Sequence, residues 1–196
     1  MSKRNSDLTR RSLLQAIVGA GAAVGLLRLA PAATYEPTPS VEDHDDPTPA
    51  ETEGPFFKPS SPVRKSLREG TKGKLLVVEG QVLTTAGHPV AGALLDFWHC
   101  DSEGVYDNVG FKLRGHQYTD KDGRYHLETI LPGTYPGRTR HIHVKAQAPK
   151  GQILTTQLYF PNEPGNAKDG MYQSKLEMKL SQKDETKMGK FDFVLA

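Results

Sequence analysis

Short runs in which apolar and polar residues alternate recur along the last two thirds of the chain, and turns rich in Gly, Pro and Asp separate them. Tyr125, Leu127 and Thr129 alternate with polar neighbours as in a half-buried strand, and Asp120–Gly123 before them has the composition of a hairpin turn. β-branched and aromatic residues predict further strands at 75–82, 90–98, 138–145, 153–160 and 191–194.

Helical character is found in one place among these strands, the stretch from 171 to 180. Many short strands separated by turns, with so little helix, are typical of an all-β fold. We therefore predict an antiparallel β-sandwich, and we place this domain at residues 62–196.

The first 33 residues have the composition of an export signal. Thr9–Leu14 contains a twin-arginine pair, an apolar run rich in Ala and Gly follows at Leu13–Leu27, and small residues end the segment at Ala30–Ala33. The apolar run is short for a membrane span, although an uncleaved anchor helix is the alternative. We predict a signal peptide at 1–33, export by the twin-arginine route to the periplasm or the cell exterior, and no membrane association after cleavage.

A segment rich in Pro, Thr, Asp and Glu follows at residues 34–61. Such a composition buries too little apolar surface to order itself, so we predict a disordered linker. The linker contains an adjacent aromatic pair, Phe56 and Phe57, which is expected to dock on the domain. The pair either anchors the segment or takes part in a functional site.

Composition excludes several classes of function. The chain has 196 residues and a formal net charge of +2, so it has no basic excess that would indicate a nucleic-acid partner. Its single cysteine, Cys100, excludes an intramolecular disulfide and a Cys-rich zinc site. It contains no Gly-rich phosphate loop, so a nucleotide cofactor is not expected. Seven His and seven Tyr are left for coordination chemistry.

The densest group of such residues is Pro132–His143. Because side chains alternate across a strand, His141 and His143 are expected on one face and Ile142 on the other. Two adjacent imidazoles can chelate a metal. The alternative is a pair of polar His on the solvent face of a half-buried strand.

Two tyrosines stand in positions that are unusual for core aromatics. Tyr106 follows a Gly turn and precedes an Asp, and Tyr135 lies between Pro-Gly pairs that can bend the backbone. Together with two His they form an N₂O₂ donor set that suits Fe(III), whereas four His would favour copper or zinc. His99 is expected to pack behind Trp98 rather than to bind metal.

From Val78 to about Phe160 the chain resembles the intradiol ring-cleavage dioxygenases, the family of catechol and protocatechuate dioxygenases. The resemblance rests on the order and spacing of these motifs: Glu53-Gly-Pro-Phe56, Val78-x-Gly80-x-Val82, Gly87-x-x-Val90, Leu95-Asp96-Phe97, Gly104-x-Tyr106, Arg114-Gly115-x-Gln117, Thr119-Asp120-x-x-Gly123-x-Tyr125, Thr129-Ile-Leu-Pro-Gly133-x-Tyr135, Arg138-x-x-His141-Ile-His143 and Thr156-Gln157-Leu-Tyr-Phe160.

The resemblance implies a β-sandwich of the same type and an Fe(III) centre, with Arg138 and Gln157 as catalytic residues beside the substrate. The implied metal ligands are Tyr106, Tyr135, His141 and His143. Its implied activity is cleavage of a catecholic or polyphenolic ring by O₂ between the two hydroxylated carbons, which gives a muconate-type diacid. A homo-oligomer is compatible with the resemblance. Because fold alone does not give function, the alternative is a non-catalytic binding module that retains a metal or aromatic-ligand site.

Two expectations concern the segment before the His pair. Tyr135 precedes His141 by only six positions, whereas family members that act on simple catechols have a longer loop, so we expect a more open site and a larger substrate. Arg138 on an extended strand would face away from both His, and only a bend at Pro136–Gly137 could return its guanidinium to the metal. If Arg138 is instead a surface residue, Arg140 becomes the more important neighbour.

Overall fold

β-Strands form most of the regular structure in residues 46–196, the part of the chain that the computed structural model describes. The strands are β1 Leu75–Thr84, β2 Leu94–Trp98, β3 Arg114–Tyr118, β4 Arg124–Ile130, β5 His141–Gln147, β6 Ile153–Tyr159, β7 Lys179–Lys183, β8 Thr186–Lys190 and β9 Phe193–Leu195. The all-β prediction is confirmed.

Two sheets carry these strands. One has the order β4-β1-β8-β7, with β9 beside the end of β1, and the other has the order β3-β2-β5-β6. Pairing is mostly antiparallel, but β1 runs parallel to β8 and β9, so the first sheet is mixed rather than purely antiparallel. Gly80 lies where β1 changes partner, and a Cβ there would collide with the carbonyl of Phe191.

The core lies between the two sheets and follows the two-residue period of the strands. Leu76, Val78 and Val82 point inward from β1, while Ile142 and Val144 point inward from β5. Full burial of each such side chain stabilises the fold by roughly 1.5–3 kcal/mol. Because Ile142 fills the core, its two His neighbours must lie on the opposite face of β5.

The helix predicted at 171–180 is wrong. This stretch contains a single 3₁₀ turn at Ser174–Leu176, and β7 begins at Lys179. The backbone N–H of Met178 donates to the Tyr159 carbonyl at 3.0 Å, which holds the segment extended beside β6. A second 3₁₀ turn spans Asn166–Lys168, and no helix within residues 46–196 has the length and apolarity needed to cross a membrane.

The prediction of a disordered linker is wrong for its last sixteen residues. We call residues 46–67 the N-terminal arm; hydrogen bonds between its backbone and neighbouring strands hold it in place. Thr48 donates its N–H to the Val194 carbonyl at 3.0 Å, and Glu51 donates to the Thr155 carbonyl at 2.8 Å. Ser61 is buried near the arm's end. The signal peptide and residues 34–45 lie outside the described residues.

Candidate metal centre

The two His of β5 share a buried face. His141 is 2% exposed and His143 is 1% exposed, and their Nε2 atoms lie 3.2 Å apart. The solvent-face alternative is therefore wrong. Burial lowers the pKa of His141 to about 4 and that of His143 well below its usual value, so both imidazoles are neutral near pH 7 and can donate a lone pair.

Contacts around each ring fix its orientation. The Nδ1–H of His141 donates to the Thr139 carbonyl at 2.6 Å, which leaves its Nε2 lone pair free to face the site. His143 stacks on Trp98 with the ring centroids 4.9 Å apart and the planes 6° from parallel. Trp98 is the cross-strand partner of His143. Neighbouring strands thus hold both Nε2 atoms toward one point.

Tyr135 reaches that point from a tight turn. Its Oη lies 3.3 Å from Nε2 of His141. The turn closes through the N–H of Arg138, which donates to the Tyr135 carbonyl at 3.0 Å, and Gly137 has a φ of +81° that L side chains rarely adopt. This turn accounts for the short spacing between Tyr135 and His141.

Tyr106 enters from a loop that two aspartates shape. Asp101 Oδ1 accepts the backbone N–H groups of Glu103 and Val105, each at 2.9 Å. Asp107 accepts from three N–H groups on its other side, and bonds from Lys112 and Gly110 hold its pKa at about 2. The Tyr106 ring is 5.8 Å from the Tyr135 ring. Both Asp therefore position the tyrosine rather than bind metal.

The chemistry of this donor set fits a ferric ion. The Tyr106 hydroxyl is buried without a hydrogen-bond partner in the described chain, a state that costs roughly 1–3 kcal/mol and that a bound cation would relieve. Burial raises the pKa of Tyr106 and Tyr135, so only a strong local positive charge makes them phenolates. Within residues 46–196 no group of three His, Cys, Asp or Glu is placed to hold a metal ion.

Arg138 and Gln157 lie beside this set and touch each other. The guanidinium Nη2 of Arg138 donates to Gln157 Oε1 at 2.5 Å, and Gln157 is the cross-strand partner of His143. Arg138 precedes β5, in the turn, which is how its side chain returns to the face that the two His share. Arg140 instead forms an ion pair with Glu163 at 2.9 Å. The geometry favours Arg138 as the cation of the site.

The N-terminal arm supplies residues whose role the sequence left open. Phe56 stacks on Tyr106 with centroids 4.3 Å apart, whereas Phe57 packs edge-on against Trp98 at 4.9 Å. The aromatic pair thus both anchors the arm and takes part in the candidate site. Buried Arg114 clamps this region, because its Nη1 donates to the Phe56 carbonyl at 2.6 Å. The adjacent aromatic pair after Gly-Pro was the sequence signal that this segment docks on the domain.

His99 lies behind Trp98 and is already satisfied. Its Nδ1 is 2.6 Å from the Cys100 carbonyl, and its Nε2 is 2.6 Å from Thr129 Oγ1. Because the carbonyl can only accept, Nδ1 carries the proton and Nε2 accepts from the hydroxyl. Both ring nitrogens are therefore occupied, as expected of a structural histidine.

A family model described as Dioxygenase matches residues 52–196, which include every residue of the candidate centre. This chain belongs to the intradiol ring-cleavage dioxygenases. The family resemblance of the motifs is thereby confirmed. Catechol 1,2-dioxygenase of Candida albicans is 31% identical over 179 residues, covering 72% of this chain and 58% of that enzyme. Hydroxyquinol 1,2-dioxygenase of a Rhizobium species is 30% identical, covering 61% of this chain and 50% of that enzyme.

Solved structures of this family superpose well on the sandwich. The dioxygenase domain of a dioxygenase and carbohydrate-binding protein fusion from Streptomyces sp. SirexAA-E has a TM-score of 0.75 and 54% identity, covering 76% of this chain and 98% of that domain. Hydroxyquinol 1,2-dioxygenase from Pseudomonas putida has a TM-score of 0.69 and 26% identity, covering 76% of this chain and 66% of that one. The chain spans about half the length of the catechol and hydroxyquinol dioxygenases that it matches by sequence.

Proposed function

We propose that this protein is an exported Fe(III) dioxygenase that cleaves catecholic or polyphenolic rings between the two hydroxylated carbons, using O₂. The observation that carries the proposal is the convergence of two neutral imidazoles and two buried or half-buried phenols, with one cationic side chain beside them. The names of the relatives support the same reaction class.

The iron would be held by Tyr106, Tyr135, His141 and His143. When bound, ferric iron would draw electron density from a coordinated diol and so make a ring carbon open to attack by O₂. The protein contributes two neutral nitrogen donors and two phenols that become anionic, a hard donor set for a trivalent ion. Trp98 stacked on His143 keeps water from one side of the centre.

Tyr135 is suited to take a proton from the incoming diol. It is half-buried and lies on a turn, whereas Tyr106 is buried under Phe56 and within a loop that two aspartates fix. The Oη of Tyr135 can therefore move and accept a proton with less disturbance of the core. Tyr106 would keep its position during the reaction.

Arg138 would stabilise negative charge that develops on the substrate during ring attack. Its side chain is only 10% exposed, and fixed cations act more strongly in such water-poor surroundings. Gln157 holds the guanidinium on one side and donates its own Nε2–H to the Thr52 carbonyl at 3.2 Å. Arg138 and Gln157 would thus line the substrate position together.

The short turn before β5 supports an open entrance and a substrate larger than catechol. Gly137 is exposed, and a Cβ at that position would meet nothing within 4 Å. A polyphenol that extends beyond its reacting ring could therefore project past this turn. Export of the protein, which the twin-arginine pattern supports, would give it access to such compounds outside the cytoplasm.

Oxygen uptake by the iron-loaded protein tests this proposal. Catechol, hydroxyquinol and larger polyphenols should be compared, with the ring-opened diacid identified by mass spectrometry. We expect stoichiometric O₂ consumption and incorporation of both oxygen atoms into the product. Binding of diols without any uptake would contradict the proposal and would favour the non-catalytic binding module.

A further inference from the structure

Asp169 is a buried carboxylate that lies next to the candidate catalytic cation and that the proposed chemistry has not used. Its side chain is 2% exposed. Its Oδ2 accepts from Arg138 Nε at 3.0 Å and from the backbone N–H of Thr139 at 2.9 Å. Its Oδ1 accepts from the N–H of Met171 at 2.9 Å. Both carboxylate oxygens are thus held, Oδ2 by donors of the segment before β5 and Oδ1 by the N–H of Met171.

Both members of this pair keep their charge. Burial alone would raise the pKa of Asp169, but the N–H groups of Met171 and Thr139 and the neighbouring guanidinium lower it. Burial alone would lower the pKa of Arg138, but the hydrogen bond to Asp169 raises it. A buried ion pair with these additional hydrogen bonds has a fixed geometry, which suits it to orient a group.

The pair decides where the guanidinium points. With Nε fixed on Asp169, Nη2 of Arg138 reaches Gln157 Oε1 at 2.5 Å and lies 3.5 Å from the Tyr159 hydroxyl. Arg138 follows the exposed Gly137 in a surface turn, so without this anchor its long side chain could rotate into solvent. The anchoring atom is Nε, which leaves the terminal nitrogens available to the site.

We propose that Asp169 is a positioning residue that holds the Arg138 guanidinium over the candidate centre, an inference that rests on the proposed function. Asp169 touches none of the four candidate metal ligands in any hydrogen bond of the described chain, so it acts through Arg138. Loss of the anchor should lower kcat and leave the binding of iron and diol nearly unchanged, because displaced catalytic groups chiefly lose transition-state contacts.

A neighbouring ion pair provides a control for the effect of charge removal. Arg140 and Glu163 form an ion pair of 2.9 Å from the same two segments, but their side chains are 20% and 21% exposed, and neither residue makes a hydrogen bond to Gln157. Glu163→Gln therefore removes one carboxylate charge from a neighbouring, more exposed ion pair of the same two segments. An effect of ion pairing on general stability would be seen in both variants, whereas positioning of Arg138 would be seen only at Asp169.

The test is a double-mutant cycle on the full-length, iron-loaded protein with Asp169→Asn, Arg138→Ala and the double variant. For each, kcat is measured by O₂ uptake with the best diol, and the Kd for catechol is measured without O₂ from the change in the visible spectrum. We expect Asp169→Asn to lower kcat by roughly 10- to 100-fold at an unchanged Kd, and to cause no further loss in the Arg138→Ala background.

Wild-type kcat in Asp169→Asn, an equal loss in both backgrounds, or an equal loss in Glu163→Gln would each overturn the inference. If Asp169→Asn does not fold, Asp169→Glu decides: it keeps the charge but displaces it by one methylene, and a lowered kcat at unchanged Kd supports positioning while wild-type kcat refutes it. Absence of O₂ uptake by the wild type would refute the proposed function instead, so the two failures are distinguishable.

Discussion

The carbonyl oxygen of Tyr135 accepts a 3.0 Å hydrogen bond from the backbone N–H of Arg138, so one tight turn carries both a candidate metal ligand and the candidate catalytic cation. The turn has only Pro136 and Gly137 at its centre. A displacement of the tyrosine during substrate binding would therefore be transmitted to the arginine through three peptide bonds. In the proposed mechanism, movement of Tyr135 and charge stabilisation by Arg138 would therefore be mechanically linked.

Replacement of Tyr135 by Phe tests the donor set. The variant removes one hydroxyl that faces His141 Nε2 at 3.3 Å and leaves the ring in place. We expect the wild type to bind one ferric ion with a reddish tyrosinate charge-transfer band, and the variant to bind iron more weakly with a shifted band. Elemental analysis and visible spectra check this, with the exposed Tyr118→Phe as control. A colourless wild type that contains zinc would refute the ferric assignment.

Truncation of Arg138 separates chemistry from binding. Because the guanidinium would act mainly on charge that develops in the transition state, Arg138→Ala should retain iron and anaerobic diol binding while kcat falls on the order of 10²-fold, roughly 3 kcal/mol. Arg140→Ala should have a kcat near that of the wild type, since Arg140 pairs with Glu163 outside the site. Equal rates of O₂ uptake for the wild type and Arg138→Ala would remove Arg138 from the mechanism.

Gly133 joins the two loops that carry the tyrosines. Its N–H donates to the Asp101 carbonyl at 2.7 Å, and a Cβ there would lie 2.5 Å from the Gly104 nitrogen. Gly133→Ala should thus separate the loops and lower the free energy of unfolding by roughly 1–3 kcal/mol. Gly170→Ala is the control, because its Cβ would meet nothing within 4 Å. Urea denaturation and iron content measure both effects, and equal stability of the two variants would contradict this account.

His99 predicts a specific loss of stability in acid. Burial lowers its pKa from 6.5 to about 4, so the folded chain binds this proton less readily than the unfolded chain. The contribution of neutral His99 to the free energy of unfolding is fully present above pH 6.5. It is lost as the pH drops from there to about 4, and the loss amounts to about 3 kcal/mol.

The variant His99→Gln removes that titration. Urea denaturation of the iron-free protein at pH 7 and pH 4.5 should show a smaller acid loss in the variant than in the wild type. His141 and His143 also have lowered pKa values, so some acid loss will persist in both proteins. An identical pH dependence of the two proteins would show that the pKa of His99 is the same in the folded and unfolded chains, which contradicts this account.

We predict that export depends on the arginine pair near the N-terminus. Because Arg10 and Arg11 would form the recognised part of the predicted twin-arginine signal, the double change Arg10→Lys and Arg11→Lys should leave the precursor in the cytoplasm. Fractionation followed by immunoblotting measures this, and changing Lys3 and Arg4 is the control. Undiminished export of the double variant would show that this signal has been misinterpreted.

Period-two alternation predicted β4, and β-branched and aromatic residues predicted stretches that overlap β1, β2, β5, β6 and β9. The alternation of side chains across a strand also predicted that His141 and His143 share a face. These patterns could not predict β3, β7 and β8, whose sequences RGHQY, KLSQK and TKMGK carry little apolar pattern. These strands form because neighbouring strands satisfy their backbone groups. Their propensities are therefore overridden by tertiary pairing.

Distance along the chain limited the prediction of the site. The two tyrosines and two His were identifiable because metal-capable side chains cluster in sequence, and the Pro-Gly turn provided a route for Arg138 to the site. Asp169 and Arg114 act through partners 31 and 58 positions away, and nothing local distinguishes them from surface ions. The linker was mispredicted because its order comes from hydrogen bonds to strands, which composition does not report.

The N-terminal arm has a further consequence for solubility. At 49–51 it bonds along β6, at 62–64 it pairs with His116 of β3, and at 65–67 it pairs with Glu128 of β4. β3, β4 and β6 are all sheet edges, where unpaired backbone groups would otherwise recruit strands of other molecules. One irregular segment thus covers three edge strands of the described sheets, and we expect a proteolytic cut within it to create an aggregation-prone molecule even with the candidate metal ligands intact.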